Sequence, residues 1–219
     1  MFGTPIEDVF DSSTHLPAFL ADAFAELHRH VAVEGILRIS GSVAAIALLR
    51  EQVDSGRPTP DFAAAAAQDV HSVTGFLKLW MRMLPEPIVP FASYPGVVRA
   101  VREASALDPA ALADALIPIL RSLPPPNRLF LTELLHLATR IVEHAEENQM
   151  TAKNVAIVLT PNLLRPAGDD MATTIVNTPL LNEAMRQVLS LSLDQIALNE
   201  GADSDPASSI AGSEVGEFI

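Results

Sequence analysis

One arginine stands out among the residues able to do chemistry. It is Arg38, in the segment Glu34-Gly35-Ile36-Leu37-Arg38-Ile39-Ser40-Gly41. Gly35 and Gly41 allow backbone conformations that other residues resist. Ile36, Leu37 and Ile39 are expected to pack inward and turn the guanidinium outward. Arg38 could equally pair with a nearby carboxylate and simply hold its own loop.

A second group follows in Gln68-Asp69-Val70-His71-Ser72-Val73-Thr74-Gly75-Phe76-Leu77-Lys78-Leu79-Trp80-Met81-Arg82-Met83-Leu84-Pro85-Glu86-Pro87-Ile88. Lys78 and Arg82, four apart, share one helix face. Lys78 is one of two lysines in the chain, and no acid lies between it and Arg82. Such a pair suits an outside anion or a distant carboxylate, although plain solvent exposure would also account for it. In a third group, Asn148-Gln149-Met150-Thr151 through Asn154 to Leu164, Pro161 is expected to end a helix and leave Asn162 in a turn. There the amide either caps its own turn or meets a partner.

Self-contained catalysis finds no support. There is no G-x-x-x-x-G-K phosphate loop, nucleophile elbow or H-E-x-x-H helix. His28 and His30 diverge on one helix. His136 and His144 read as ordinary histidines, and Glu146-Glu147 as a solvated helix end. With no cysteine, disulfides and thiolate metal sites are excluded. The net charge of −13 repels phosphate backbones and anionic lipid, so neither nucleic acid nor bare membrane is an expected partner. A secretory leader is not expected over the opening residues, where Glu7, Asp8 and Asp11 come too early. The longest strongly apolar stretch, 155–164, is far short of the ~20 residues a membrane helix needs.

The elements that must position these groups are helices. A chain of 219 residues can bury about 70% of its unfolded surface in one core. Leu16, Phe19, Leu20, Ala23, Phe24 and Leu27 recur at helical steps behind Pro17, and Ser42 can cap a helix that Gly56 and Pro58 end. Ala63 to Ala67 reads as loop or short helix. Asp69 is expected to cap a helix carrying Val70, Val73, Phe76, Leu77, Trp80 and Leu84 inward, stopped by Pro85-Glu86-Pro87. Further helices are expected over 91–101, from Asp108-Pro109 to about Leu123, behind an Asn127 cap through Val142, from a Thr151 cap to Pro161, and from Thr178-Pro179 to about Leu198. No segment alternates strictly enough for a strand. Only Asn154 to Leu159 competes, and the Thr151 cap favours helix there. The expectation is an all-α, single-domain bundle of about eight or nine helices over 1–199. An acidic tail of 200–219 follows, without Lys or Arg and too polar to offset its ordering entropy.

In this order and spacing, and with the opening Phe2-Gly3-Thr4-Pro5-Ile6, the three segments resemble the signature of RhoGAP domains over roughly residues 2–195. The resemblance implies an all-α RhoGAP-like bundle that binds GTP-bound Rho-family small GTPases in the cytoplasm. Arg38 matches the family's catalytic arginine finger, with Gly35, Ser40 and Gly41 supporting its loop. Lys78 and Arg82 match the family's basic helix positions, the first meeting the GTPase and the second steadying the finger loop. Asn162 matches the asparagine that contacts the partner. No metal or cofactor of its own is implied, since GTP and magnesium are held by the GTPase. Leu37 replaces the family's usual aromatic and Met83 its usual acid. These departures leave open an inactive module of the same fold that only binds GTPases or other signalling proteins. A helical scaffold unrelated to GTPases would require the matches to be chance.

Overall fold

The computed structural model describes residues 1–11, 14–56, 59–104, 109–168 and 171–189 (the side chains of 109, 110 and 171 excepted). Pro58, Asp108, the helix end expected near Leu198 and the acidic segment from 200 onward lie outside these residues. Among the described residues there are ten helices and no strand. They are α1 (Ile6–Val9), α2 (Ala18–Arg29), α3 (Val43–Asp54), α4 (Phe62–Met83), α5 (Tyr94–Ala104), α6 (Pro109–Arg121), α7 (Pro125–Glu143), α8 (Ala145–Asn148), α9 (Ala152–Leu163) and α10 (Met171–Val188). Eight are full helices. The other two, α1 and α8, are single turns too short for hydrophobic periodicity to register.

Local chemistry explains most of the boundaries. Pro17 sits at the N-cap of α2, and the Ser42 hydroxyl accepts from the Ala45 amide to open α3. The alanine run is helical because Asp61 caps it through the Ala64 amide at 2.8 Å and Phe62 and Ala66 bury one face. It continues into α4 across a break at Asp69, whose φ of −163° and ψ of 98° are not helical. Asp69 still caps the second half, because its carboxylate accepts from the His71 amide at 3.0 Å.

Two proline-based expectations are corrected. Pro161 lies inside α9 rather than at its end, and Pro179 lies inside α10 rather than at its start. Pro118 lies inside α6 as well. A helical proline frees the carbonyl four residues back. Here those residues are Ile157, Ile175 and Asp114, all exposed, so solvent can satisfy the freed group. Asn127 is not a cap either. It is buried in the first turn of α7 and donates from Nδ2 to the Ile88 carbonyl at 2.8 Å. The segment expected to be helical from 91 begins instead at Tyr94, behind a turn closed by the Ser93 amide on the Pro90 carbonyl.

α2 and α3 both pack on α4, α2 also on α7, and α9 bridges α4, α7 and α10. The stripes expected on α2 and α4 form the centre. Phe19 meets Phe76 and Trp80 edge-on at 6.3 Å, and Trp80 lies 5.0 Å from Phe130. Phe2 and Phe62 flank Phe76 at 5.3 and 5.2 Å. This aromatic core fixes α2 and α4 against each other, and the Arg38 segment joins α2 to α3 beside it.

Candidate functional site

The loop from Val31 to Ser42 leaves the core and returns to it within a few residues. Ile36 and Leu37 are fully buried, whereas Arg38 is exposed and forms no ion pair with the described residues. Ile39, expected to pack inward, is 41% exposed. A tight turn produces this alternation. The amides of Arg38 and Ile39 both donate to the Gly35 carbonyl, at 2.9 and 2.8 Å, so Ile36 and Leu37 point in together and the next two residues point out.

The turn needs left-handed backbone at Gly35, φ +67°, and again at Leu37, φ +68°. Gly41 serves differently. A Cβ there would lie 2.2 Å from the Ser72 amide nitrogen, so this glycine is required for close approach of the loop to α4. The Ser42 amide then donates to the Asp69 carboxylate at 3.1 Å and the Ser72 hydroxyl at 3.0 Å, while Ser72 donates to Asp69 at 2.7 Å. Burial pushes the Asp69 carboxyl up, but these hydrogen bonds and that of His71 outweigh it. The group is held below the usual carboxylate value.

The two basic residues of α4 make different contacts within the chain. Lys78, not Arg82, reaches the arginine loop, with Nζ donating to the Leu37 carbonyl. The loop docks at the Asp69 end of the second half of α4, and Lys78 lies one turn, ~6 Å, nearer that end than Arg82. Burial, and secondarily the charge of Arg82, lower the Lys78 pKa. Arg82 is exposed, and its guanidinium makes a long 3.4 Å contact to Asn162 Oδ1. Asn162 is only 5% exposed and lies in the last turn of α9, not in a turn beyond it. Its Nδ2 caps the Val158 carbonyl at 2.6 Å, leaving the oxygen turned toward Arg82.

Arg38, Lys78, Arg82 and Asn162 are therefore linked through one loop and one helix face. Beside them runs a groove of about 810 Å³ between α3 and α4, lined by Ser40, Gly41, Val43, Arg50, Lys78 and Arg82 among others. Val43 is 83% exposed at its edge, an apolar residue placed next to cations. This surface can offer a guanidinium to an anion and an apolar rim to a protein. Pattern reading found the arginine, the lysine and the Asp69 cap. It missed Ser72 and the Asn148 carbonyl, which accepts from the Gly35 amide at 2.8 Å. Both lie far from the loop in sequence, and the only available signal was a small polar residue on an otherwise apolar helical face.

The RhoGAP domain family matches residues 17–168. The chain is 37% identical over 169 residues to Rho GTPase-activating protein 27 of Mus musculus, a stretch covering 77% of this chain and 18% of that protein. It is 32% identical over 200 residues to Rho GTPase-activating protein gacY of Dictyostelium discoideum, covering 90% of this chain and 26% of that one. It thus spans only about a fifth to a quarter of the relatives it matches. The crystal structure of human Rho GTPase activating protein 15 superposes with a TM-score of 0.78 at 30% identity, over 86% of this chain and 88% of that one. With the family matched across the arginine loop, α4 and α9 alike, the chain belongs to the RhoGAP domain family.

Proposed function

We propose that this domain, residues 1–199, stimulates GTP hydrolysis by a Rho-family small GTPase in its GTP-bound state, with Arg38 inserted in trans as an arginine finger. The observation that carries this reading is an exposed guanidinium without an acidic partner among the described residues, on a loop bonded to the core on both sides. The proposed partner holds nucleotide, magnesium and attacking water. It lacks positive charge where the leaving oxygen becomes negative. A guanidinium brought there stabilises that charge as it develops and displaces water from the site. Such fingers supply ~10³–10⁵ in rate, roughly 4–7 kcal/mol of barrier. The protein is then an activator and not itself the enzyme, and its site of action is the cytoplasm with its partner.

In this reading Lys78 holds the loop by its Leu37 carbonyl, Asn162 orients Arg82, and Arg82 with the α3–α4 groove meets the GTPase. Arg38→Ala is expected to lower stimulated hydrolysis by at least about a hundredfold while affinity for the GTP-bound partner changes by less than about threefold. Arg38→Lys restores little, because an ammonium lacks the planar fork that donates to two oxygens at once. Single-turnover hydrolysis with purified Rho, Rac and related GTPases measures both. Equal stimulation by wild type and Arg38→Ala removes the arginine from the mechanism. Binding by the wild type without stimulation makes the domain a GTPase-binding module instead.

A further inference from the structure

We propose that Asn148 is a positioning residue for Arg38, fastening the arginine loop to the end of α7 and the entry to α9 as Lys78 and Asp69 fasten it to α4. The inference rests on the arginine-finger reading above.

Asn148 closes α8 and is completely buried. Its Nδ2 donates to the Val31 carbonyl and to the Ile141 carbonyl, each at 2.7 Å. Its Oδ1 accepts from the Met150 amide at 2.7 Å. Its main-chain carbonyl accepts from the Gly35 amide at 2.8 Å. One residue thereby joins the loop at two points to the end of α7 and the entry to α9. Both amide hydrogens of the side chain are used, so its orientation is fixed by the number of partners.

The connection to the guanidinium is short. Val31 is the first residue after the C-cap of α2, where the loop begins. Gly35 receives the Asn148 contact on its amide and passes a contact on through its carbonyl, which accepts from the Arg38 amide. Lys78 and Asp69 hold the later part of the loop, at Leu37 and Ser42. Without Asn148 the earlier part, Val31 to Gly35, loses its side-chain anchor and the turn that aims Arg38 is fixed from one side only. Buried donors and acceptors left without partners do not stay in place at no cost, so the loop is expected to shift toward solvent.

The experiment compares wild type, Asn148→Ala, Arg38→Ala and the double variant in the full chain, with GTP-loaded Rho-family GTPase. Asn148→Asp accompanies them, because it keeps an acceptor for Met150 but sets a carboxyl oxygen, in place of the two donors, against the Val31 and Ile141 carbonyls. Circular dichroism establishes a temperature at which each is folded. Single-turnover rates are then read against protein concentration. Either Asn148 variant is expected to lower the saturating rate at least about tenfold while shifting the half-saturating concentration less than about threefold. The double variant is expected to be no slower than Arg38→Ala alone, since both changes act through one guanidinium. Amide hydrogen exchange at Gly35 is expected to speed up in both Asn148 variants. An unchanged saturating rate in a folded variant, a further loss in the double variant, or an unchanged Gly35 amide overturns the proposal. If Arg38→Ala itself leaves stimulation intact, the finger reading fails, and positioning of Arg38 for catalysis fails with it. Gly35 exchange then reports separately whether Asn148 holds the loop.

Discussion

At Gly35 the backbone sits at φ +67°, and the Arg38 and Ile39 amides converge on its carbonyl. An alanine there must adopt left-handed backbone, a cost of roughly 1–2 kcal/mol. Its Cβ would also lie 2.5 Å from Ile39 Cδ1. That side chain is exposed and can move aside, so the backbone decides the outcome. Gly35→Ala is expected to lower the melting temperature by about 2–8 °C at ~2–4 °C per kcal/mol, measured by circular dichroism, with a larger proportional loss in stimulated hydrolysis. At this scale the sequence was informative about Arg38 itself, since a lone arginine between glycines departs from its helical surroundings. It was less informative about neighbours. Ile39 is apolar and yet exposed, because the turn places it beside Arg38. Gly41 is small for lack of space against Ser72, a reason that no local pattern carries.

Among the elements, α4 does most to present the site, because its break at Asp69 creates a helix start in mid-element. The Asp69 carboxylate serves as cap for His71 and as anchor for Ser42. Its folded-state pKa is depressed. Its contribution to stability is therefore full above the unfolded carboxylate value of ~3.9 and is lost as pH falls through the lower folded value. Asp69→Asn is expected to cost roughly 1–2 kcal/mol at neutral pH and to flatten the acid limb of the stability profile, as read from urea unfolding between about pH 2 and 5. Asp69 was legible as a cap because an acid before an apolar helical stripe is a local signal. The division of labour between Lys78 and Arg82 was not. Both occupy the same face, and only the docking of the loop against one end of the helix decides which of them reaches it. The interior prolines of α9 and α10 misled for a related reason, since tertiary packing carries those helices past residues that alone would stop them.

Across the whole molecule, the site rests on the aromatic centre. Phe76 is fully buried and meets Phe2, Phe19 and Phe62 edge-on. It comes from the same half of α4 as Lys78. Phe76→Ala is expected to cost ~3–5 kcal/mol, a fall of about 6–20 °C in melting temperature, followed by thermal denaturation. The all-helical class was legible from caps and from stripes such as that on α2, because a helix shows its buried face at short sequence intervals. How the helices assemble was not, because the contacts that matter join Phe2 to Phe76 and Asn148 to Val31 across long stretches of chain.

The long-range anchoring of the loop has a consequence for anyone wishing to borrow its chemistry. A synthetic peptide copying residues 31–42 would carry the guanidinium and the inner Gly35 turn, yet every partner that holds that turn would stay behind, on α4 and at the end of α8. Free in water, twelve residues would sample many shapes, and few would aim the arginine. The smallest portable unit is the bundle, so grafting this activity onto another scaffold means transplanting a frame of helices rather than a loop.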